Sequence, residues 1–263
     1  MSALGLHHGA ATDVGLVRST NQDSYLVAPP LYVVADGMGG HRGGDVASAI
    51  LVEEFGRIPG EDLDPARGRN VVAAALESAR HRILAHRDGG ARGGAGTTAV
   101  AALLVHRDDE PFWLVANLGD SRAYLLAEGL LSQISVDHSI VQELLDAGSI
   151  SAEEAARHPE RHVLTRAVGG PVPVSADFFL VPARAGERVL LCSDGVSGLV
   201  SGPALAAVLT ARADPRDAAD AVVRAALEAG GDDNATAVVV DAVALDPEPT
   251  APVRLEERLG GLP

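Results

Sequence analysis

The sequence of 263 residues predicts a mixed or antiparallel α+β fold and argues against a doubly wound parallel sheet. Two observations predict it. Apolar strand-like runs alternate with segments of helical periodicity, and some runs follow one another with no helix between them. Segments 112–118 and 122–126 are separated only by Gly119-Asp120-Ser121, a length that suits a hairpin. We therefore expect antiparallel neighbouring strands packed against helices.

The strands are predicted from apolar runs rich in valine, leucine and alanine that end near glycine or polar residues. We find no internal repeat and no clear linker between domains, so we assign all of these runs to a single domain. The predicted strands are 31–35, 97–105, 112–118, 122–126, 188–192 and 236–243.

The helices are predicted from apolar spacing and from capping residues. Apolar residues recur every three or four positions within 69–86, which indicates a helix with one buried face. Ser151 and Glu154 have the spacing of a capping box, which begins a second helix. Asp214 as N-cap and Pro215 in the first turn begin a third helix, and a pair of glycines ends it.

The charge of the chain excludes one class of function. The formal net charge is −15, and all 21 basic residues are arginines because the sequence contains no lysine. Nucleic-acid-binding surfaces are normally basic, so we expect no nucleic-acid partner. Any phosphate contact from a cationic side chain must come from arginine, or weakly from histidine.

The sequence also predicts the compartment. No apolar run approaches the roughly 20 residues that a membrane helix needs, so we expect no membrane partner. The first eight residues lack the basic flank and apolar segment of a secretory signal. Cys192, the single cysteine, cannot form an internal disulfide and is expected in the core. We predict a cytoplasmic protein.

Four aspartates share one local pattern, a carboxylate at the end of an apolar strand with glycine close by. They are Asp36, Asp120, Asp194 and Asp233. A single Asp-Gly pair is typical of a turn. Four carboxylates at strand ends are better explained by a site for a hard divalent cation, because such ions prefer oxygen ligands and a cation offsets the repulsion among carboxylates.

Other site types were tested against the sequence and rejected. The glycine-rich segment 37–44 fails the dinucleotide spacing because Arg42 occupies the third required glycine position. The chain has neither the Gly-Lys-Ser/Thr of a phosphate-binding P-loop nor the Gly-x-Ser-x-Gly of a serine hydrolase. His158 and His162 are not a zinc-binding pair, because Pro159 interrupts the helix that would align them.

In order along residues 8–243, eight short motifs resemble the PPM or type 2C metal-dependent protein phosphatases in their compact bacterial form. One such motif would be weak, whereas eight in register are highly specific. The motifs are Arg18-Ser19-Thr20-Asn21-Gln22-Asp23, Val34-Ala35-Asp36-Gly37-Met38-Gly39-Gly40, Gly96-Thr97-Thr98, Gly119-Asp120-Ser121-Arg122, Asp137-His138-Ser139, Leu164-Thr165-Arg166-Ala167-Val168-Gly169, Ser193-Asp194-Gly195 and Asp233-Asn234.

The resemblance implies a four-layer α-β-β-α sandwich with two central antiparallel sheets flanked by helices, which agrees with the adjacent strands. It implies a phosphatase domain over 1–245 with a mobile flap at about 139–161. Segment 246–263, rich in proline, is expected to be a loose C-terminal tail.

The resemblance also implies the metal ligands. Asp36 would bridge two Mn²⁺ or Mg²⁺ ions, and the Gly37 carbonyl, Asp194, Asp233 and waters would complete their coordination. Asp120 would share a third, weaker ion with Asp194. Two such ions lower the pKa of a bridging water from about 15.7 towards neutrality, so hydrolysis of a phosphomonoester needs no side-chain base.

Other residues would support these ligands. Arg18 would bind the phosphate, since a guanidinium pairs with phosphate oxygens through two N–H groups. Asp23 would bind a metal-coordinated water, and Gln22 and Asn234 would lie behind the ligands. The implied catalytic residues are therefore Arg18 and three of the aspartates: Asp36, Asp194 and Asp233.

Two positions depart from the family pattern. Gln22 stands where many members have glutamate, which removes a charge behind the metal ligands. Met38 stands where some members, chiefly eukaryotic, have a histidine that acts as general acid. His41 lies three residues further on, but a surface or capping role is the simpler interpretation.

The function implied is metal-dependent hydrolysis of phosphoserine and phosphothreonine in proteins. We expect a monomer that acts on phosphorylated protein substrates, among them a Ser/Thr kinase, and that opposes bacterial Ser/Thr kinases. Three alternatives stay open: a catalytically silent module that binds phosphoproteins, a phosphatase for anti-sigma-antagonist proteins, and a phosphatase for a small phosphomonoester.

Overall fold

The computed structural model describes residues 4–39, 43–88, 94–170 and 175–245. Within these residues, helices and strands are connected mainly by short segments. The strands are β1 (Leu4–Asp13), β2 (Asp23–Ala28), β3 (Leu31–Met38), β4 (Gly96–Thr97), β5 (Ala99–Arg107), β6 (Glu110–Leu118), β7 (Arg122–Ala127), β8 (Leu130–Gln133), β9 (Asp177–Pro182), β10 (Arg188–Cys192) and β11 (Ala235–Ala244). The helices are α1 (Gly44–Phe55), α2 (Pro65–Asp88), α3 (Ile140–Asp146), α4 (Ala152–Ala156), α5 (Asp194–Ser197), α6 (Gly202–Thr210) and α7 (Pro215–Glu228).

The strands form two sheets. The first sheet has the order β1-β11-β10-β7-β8, and the second has the order β2-β3-β5-β6-β9 with β4 paired to β3. The strand pairs are antiparallel in both sheets. Both ends of the chain's described part lie in the first sheet, where β1 and β11 pair over ten residues each.

Three apolar cores show that these sheets are the middle layers of a sandwich. Tyr32, Trp113 and Leu191 belong to the core between the sheets. Helices α1 and α2 cover the outer face of the second sheet, and α5, α6 and α7 cover that of the first. Because both faces of each sheet are covered, successive residues of β3 are buried on alternate sides. The four-layer α-β-β-α sandwich is confirmed.

The predicted hairpin between 112–118 and 122–126 is wrong. Strand β6 lies in the second sheet between β5 and β9, whereas β7 lies in the first sheet between β10 and β8. The link from Gly119 to Ser121 therefore crosses from one sheet to the other. Gly119 has a φ of 116°, and a Cβ there would lie 2.6 Å from Thr98 Cγ2, so this corner requires glycine. A short link can join two strands of one sheet or cross from one sheet to the other, and the sequence alone does not distinguish these two connections.

Several elements differ from the prediction at their ends. The predicted strand 97–105 is interrupted at Thr98, which separates β4 from β5. Strands β1, β2, β8 and β9 were not predicted; each lies at an edge of a sheet, where its residues are only partly buried. The predicted helix at 69–86 falls within α2, and Cys192 is buried as expected.

The predicted caps are present. Ser151 and Glu154 make both hydrogen bonds of a capping box at the start of α4. Asp214 accepts a hydrogen bond from the backbone N–H of Arg216 at the start of α7. The predicted tail at 246–263 lies outside the described residues. In the described part of the chain, every helix is too short or too polar to cross a bilayer.

Candidate metal centre

Asp36 lies within strand β3, two residues before its end. Thr98 fixes both polar groups of its backbone. The Asp36 N–H donates to Thr98 Oγ1 at 2.9 Å, and the Asp36 carbonyl accepts from the Thr98 N–H at 2.8 Å. The Thr97 hydroxyl donates to the same carbonyl at 2.9 Å. In the strand register, Asp36 faces Asp23 of β2. The sequence predicted that Asp36 follows a strand that ends at residue 35. In the structure the strand continues to Met38, so Asp36 is held more firmly than a residue after the strand would be.

Two glycines beside the aspartates allow close backbone packing, Gly37 against the start of α1 and Gly195 against the segment that carries Asp233. A Cβ at Gly37 would lie 2.1 Å from the Gly44 carbonyl oxygen at the start of α1. A Cβ at Gly195 would lie 2.0 Å from the Asn234 carbonyl oxygen. No side chain fits at either position, since real Cβ atoms do not approach backbone oxygens so closely. These glycines are explained by close packing of the segments that carry Asp36, Asp194 and Asp233.

Asp194 and Asp233 come from the two central strands of the first sheet. Asp194 follows β10 and is the first residue of α5, and Asp233 precedes β11 by two residues. Because β10 and β11 pair in antiparallel register, the end of one lies beside the start of the other. Asp194 Oδ1 is buried and has no hydrogen-bond partner among the described residues. Such an oxygen is costly without a cation or donor.

The pKa values of Asp36 and Asp194 move in opposite directions. Burial raises the pKa of Asp36 well above its ordinary value, and the charges of Asp23 and Asp194 raise it further. Burial disfavours the Asp194 carboxylate, but contacts with His162 and Asp36 outweigh this and lower the pKa of Asp194. Without a cation, the fold therefore favours the neutral form of Asp36 and the charged form of Asp194.

Two more carboxyl groups near this pair are also held in a proton-binding state. Burial raises the pKa of Asp23 to about 7, and hydrogen bonds from Thr236 and Ser193 partly oppose it. Burial raises the pKa of Asp120 to about 7, with the charges of Asp194 and Asp137 adding to it. A divalent cation would replace these protons and remove the repulsion among the carboxylates.

Arg18 reaches the same cluster from the loop after β1. Its Nη2 donates to Asp233 Oδ2 at 2.7 Å, and this hydrogen bond raises the pKa of Arg18. The Arg18 side chain is 55% exposed, so its remaining donors are open to an incoming anion. The Asn234 side chain fixes this loop by donating to the carbonyls of Val14 at 2.9 Å and Thr20 at 3.0 Å.

The structure connects Gln22, Asp23 and Asn234, the residues predicted to lie behind the ligands, to the segments that carry the candidate ligands. Asn234 Oδ1 accepts the Gln22 backbone N–H at 2.8 Å, and the Gln22 carbonyl accepts the Gly37 N–H at 3.2 Å. Asp23 Oδ2 accepts from the Ser193 hydroxyl at 2.8 Å. Asp23 Oδ1 is buried and unpartnered within the described residues, which suits an acceptor for a water proton.

Asp120 lies at the corner between the two sheets. The neighbouring Ser121 hydroxyl bonds the Thr98 hydroxyl at 2.7 Å, so this corner is tied to the segment that holds Asp36. The Gly119 N–H donates to His138 Nδ1 at 3.2 Å. Arg122 pairs with both oxygens of Asp137, at 2.9 Å and 2.6 Å. The sequence had identified 137–139 as part of a motif without assigning these contacts.

His162 is the functional candidate that the sequence did not predict. Its Nδ1 lies 3.9 Å from Asp194 Oδ2, an ion-pair distance that is too long for a hydrogen bond. The contact with Asp194 raises the pKa of His162. The sequence showed only that His158 and His162 are not on one helix, which the structure supports because α4 ends at Ala156. His41 lies outside the described residues.

Comparison with known proteins agrees with this geometry. The profile of the family described as protein phosphatase 2C matches residues 17–229, which include every residue of the centre except Asp233 and Asn234. The chain belongs to the protein phosphatase 2C family. The predicted family and its enzyme class, protein serine/threonine phosphatase, are confirmed.

The relatives of this phosphatase 2C chain are bacterial. The serine/threonine phosphatase stp of Listeria monocytogenes is 34% identical over 250 residues, covering 90% of this chain and 96% of that protein. The serine/threonine protein phosphatase PstP of Mycobacterium tuberculosis is 38% identical over 260 residues, covering 95% of this chain and 48% of PstP.

Solved structures give the same result. The crystal structure of M. tuberculosis PstP matches with a TM-score of 0.83 and 36% identity, covering 92% of this chain and 100% of that one. A structure of the PstP catalytic domain in complex with two manganese ions matches with a TM-score of 0.81, 36% identity and the same coverage. The Staphylococcus aureus phosphatase Stp1 matches with a TM-score of 0.80 and 30% identity, covering 92% of this chain and 96% of Stp1.

The centre of this phosphatase 2C chain fits hard divalent ions in its donor set. Across the described ranges, no three carboxylate, histidine or cysteine side chains are placed to hold an ion by themselves. Mg²⁺ and similar ions are commonly bound through one or two carboxylates while keeping several waters. The buried, unpartnered oxygens of Asp23 and Asp194 are oxygen acceptors of the kind such ions and their waters require.

Proposed function

We propose that this chain hydrolyses phosphoserine and phosphothreonine in proteins with water activated by two Mn²⁺ or Mg²⁺ ions. The observation that carries the proposal is the contact of Arg18 with the partly exposed Asp233, close enough to Asp36 and Asp194 for the charges of these two carboxyl groups to act on Arg18. The names of the relatives, serine/threonine phosphatases, support the substrate class, and the two manganese ions of the PstP catalytic domain support the cofactor.

The proposed ion-binding residues are those predicted from the sequence. Asp36, Asp194, Asp233 and the carbonyl of Gly37 hold two ions, and Asp120 shares a third with Asp194. When bound, such ions lower the pKa of water and neutralise charge on phosphoryl oxygens. Because threonine hydroxyl and backbone groups fix the backbone of Asp36, its carboxyl group extends from a rigid strand.

The protein groups around the ions position the reactants. Arg18 binds phosphate oxygens with the donors that its bond to Asp233 leaves free, and stabilises the charge on those oxygens. Asp23 orients a water through its unpartnered Oδ1. Ser193 keeps Asp23 in place through the 2.8 Å hydrogen bond to its other oxygen.

Protonation of the leaving oxygen is not assigned to the position after Asp36-Gly37. Met38 occupies it, and a thioether has no proton to transfer. Catalysis at this centre therefore rests on positioning and electrostatic stabilisation, as is general for phosphoryl transfer. The opposition to Ser/Thr kinases, the cytoplasmic location and the monomeric state remain predictions from the sequence.

The experiment that tests the proposal is hydrolysis of p-nitrophenyl phosphate and of a phosphothreonine peptide by metal-free protein. We expect turnover of both with Mn²⁺ and its loss with excess EDTA. No turnover with Mn²⁺ in a folded protein would favour the silent phosphoprotein-binding module. A panel that includes a phosphorylated anti-sigma-antagonist protein and small phosphomonoesters separates the remaining substrate classes by kcat/KM.

A further inference from the structure

Three large apolar side chains are exposed beside the candidate centre. Leu16 is 69% exposed, Val17 is 71% exposed and Val163 is 43% exposed. We call these three residues the apolar rim. Single exposed apolar residues are common on protein surfaces, so exposure alone carries no conclusion. What distinguishes these residues is their position and the way the backbone holds them.

Leu16 and Val17 are presented by a fixed loop on the Arg18 side. The Leu16 N–H donates to the Gly231 carbonyl at 2.6 Å. Gly15 has a φ of 81°, and a Cβ there would lie 2.2 Å from the Asp233 carbonyl oxygen. The loop thus packs directly on the segment that carries Asp233. Val17 immediately precedes Arg18, the residue proposed to bind phosphate.

Val163 is also held by backbone hydrogen bonds, in the segment that carries His162. It follows His162, whose Nδ1 lies 3.9 Å from Asp194 Oδ2. The Val163 carbonyl accepts from the Ile140 N–H at 3.0 Å, and its own N–H donates to the Glu160 carbonyl at 3.0 Å. Exposed apolar residues therefore stand next in sequence to Arg18 and His162, the side chains that approach Asp233 and Asp194.

The charge of the surroundings disfavours an acidic partner. The chain as a whole carries a formal charge of −15. Acidic residues beside the phosphorylated residue would be repelled, whereas apolar residues gain by covering the rim. The apolar rim adjoins the residues proposed to bind phosphate, and the chain has a negative net charge. Both features favour one occupant of the rim, the substrate segment on either side of the phosphorylated residue.

We propose that the apolar rim binds apolar side chains adjacent to the phosphorylated residue, so that the enzyme prefers phosphoprotein segments with apolar, non-acidic neighbours. This inference rests on the proposed function, because it concerns the substrate of the same site. The rim contributes to binding and selection of the substrate, and it takes no part in the chemical step.

The test compares two phosphothreonine peptides that differ in the flanking residues, valine and leucine in one and serine and glutamate in the other. Burial of one or two aliphatic side chains is worth enough to give the wild type a preference of roughly tenfold in kcat/KM. In the double variant Val17→Ser/Val163→Ser, this preference falls to about twofold or less. Hydrolysis of p-nitrophenyl phosphate stays unchanged, because that ester has no flanking residues.

Leu130→Ser is the matched control. Leu130 is 70% exposed, but it lies at the end of the β7–β8 hairpin away from Arg122 and the centre, so the peptide preference should persist. Equal turnover of both peptides by the wild type would contradict the proposal that the apolar rim binds apolar neighbours of the phosphorylated residue. A preference for the apolar peptide that persists in the double variant would contradict it as well. Failure of the wild type to hydrolyse p-nitrophenyl phosphate with Mn²⁺ instead overturns the proposed function, and the rim with it.

Discussion

Strand β3, which carries Asp36, and residues 139–161, which the sequence predicts to be a flap, differ in how deeply the fold buries them. Asp36 follows Val34 and Ala35, both fully buried, in a strand paired on both sides. In contrast, α3 has no buried residue, and Ala155 is the buried residue described in α4. The difference teaches that the fold fixes the backbone around the Asp36 carboxyl group, whereas α3 contributes little to the buried cores.

The largest effect is expected at the fixed carboxylates. Asp36→Asn or Asp194→Ala should reduce kcat by roughly 10³-fold or more, because each removes charge that holds the ions. Circular dichroism and thermal unfolding should show that the fold is intact. Asp146→Asn is the control. Asp146 is exposed, accepts a hydrogen bond from Gln142 at 2.8 Å and is not a candidate metal ligand, so kcat should not change. Full turnover by both variants of the centre would refute the assignment.

The same contrast should appear in stability. Leu190 is fully buried in β10, so Leu190→Ala should lower the free energy of unfolding by about 2–5 kcal/mol. Leu145→Ala in α3 should cost less than about 1 kcal/mol, because Leu145 is only partly buried. Urea unfolding of both variants measures the two values. Equal losses would show that the flap is as firmly packed as the sheets.

A moderate effect is expected for the phosphate contact. Arg18→Ala should raise KM for a phosphopeptide by about tenfold and lower kcat less, because one charge-assisted hydrogen bond pair is lost. Arg157→Ala is a matched control, since Arg157 is an exposed flap arginine paired with Glu153 at 3.6 Å. An unchanged KM in Arg18→Ala would remove Arg18 from the phosphate site.

The smallest effect concerns pH and the metal-free protein. Asp23 and Asp120 have folded-state pKa values of about 7, above their ordinary value of 3.8, so the folded state binds more protons than the unfolded state. Stability should therefore fall as pH rises from about 4 through about 7. Each kcal/mol lost lowers Tm by roughly 2–4 °C. Thermal unfolding in EDTA at about pH 5.5 and about pH 8 measures the fall.

Two further samples sharpen that measurement. Asp23→Asn should show a smaller fall in Tm between the two pH values, because one of the titrating groups is gone. Wild type with Mn²⁺ should also show a smaller fall, since the ions favour the deprotonated carboxylates. A rise in the Tm of the metal-free wild type between the lower and the higher pH would contradict the predicted direction of the change.

The sequence predicted the fixed part of the molecule better than the rest. Apolar runs that lie in the middle of the sheets were found, because strands buried on both faces have continuous apolar sequence. The edge strands β1 and β9 were missed because their residues are only partly buried and alternate poorly. The Gly119–Ser121 link was assigned to a hairpin because strand pairing between distant segments decides which sheet a strand joins.

The candidate site shows the same limit. Asp36, Asp120, Asp194 and Asp233 were identified from local sequence, since each has glycine or a strand beside it. His162 could not be found in this way, because its proximity to Asp194 depends on how the segment after α4 returns to the centre. Gly195 was noted in the sequence only as the glycine beside Asp194, whereas its packing against Asn234 appears only in three dimensions.

The measurement that tests the central claim most directly is calorimetric titration of the metal-free protein with Mn²⁺, in parallel with the Asp36→Asn variant. The account predicts that folded wild type takes up two manganese ions and that the variant binds them far more weakly. Absence of manganese uptake by correctly folded wild type, or equal uptake by the variant, would contradict it.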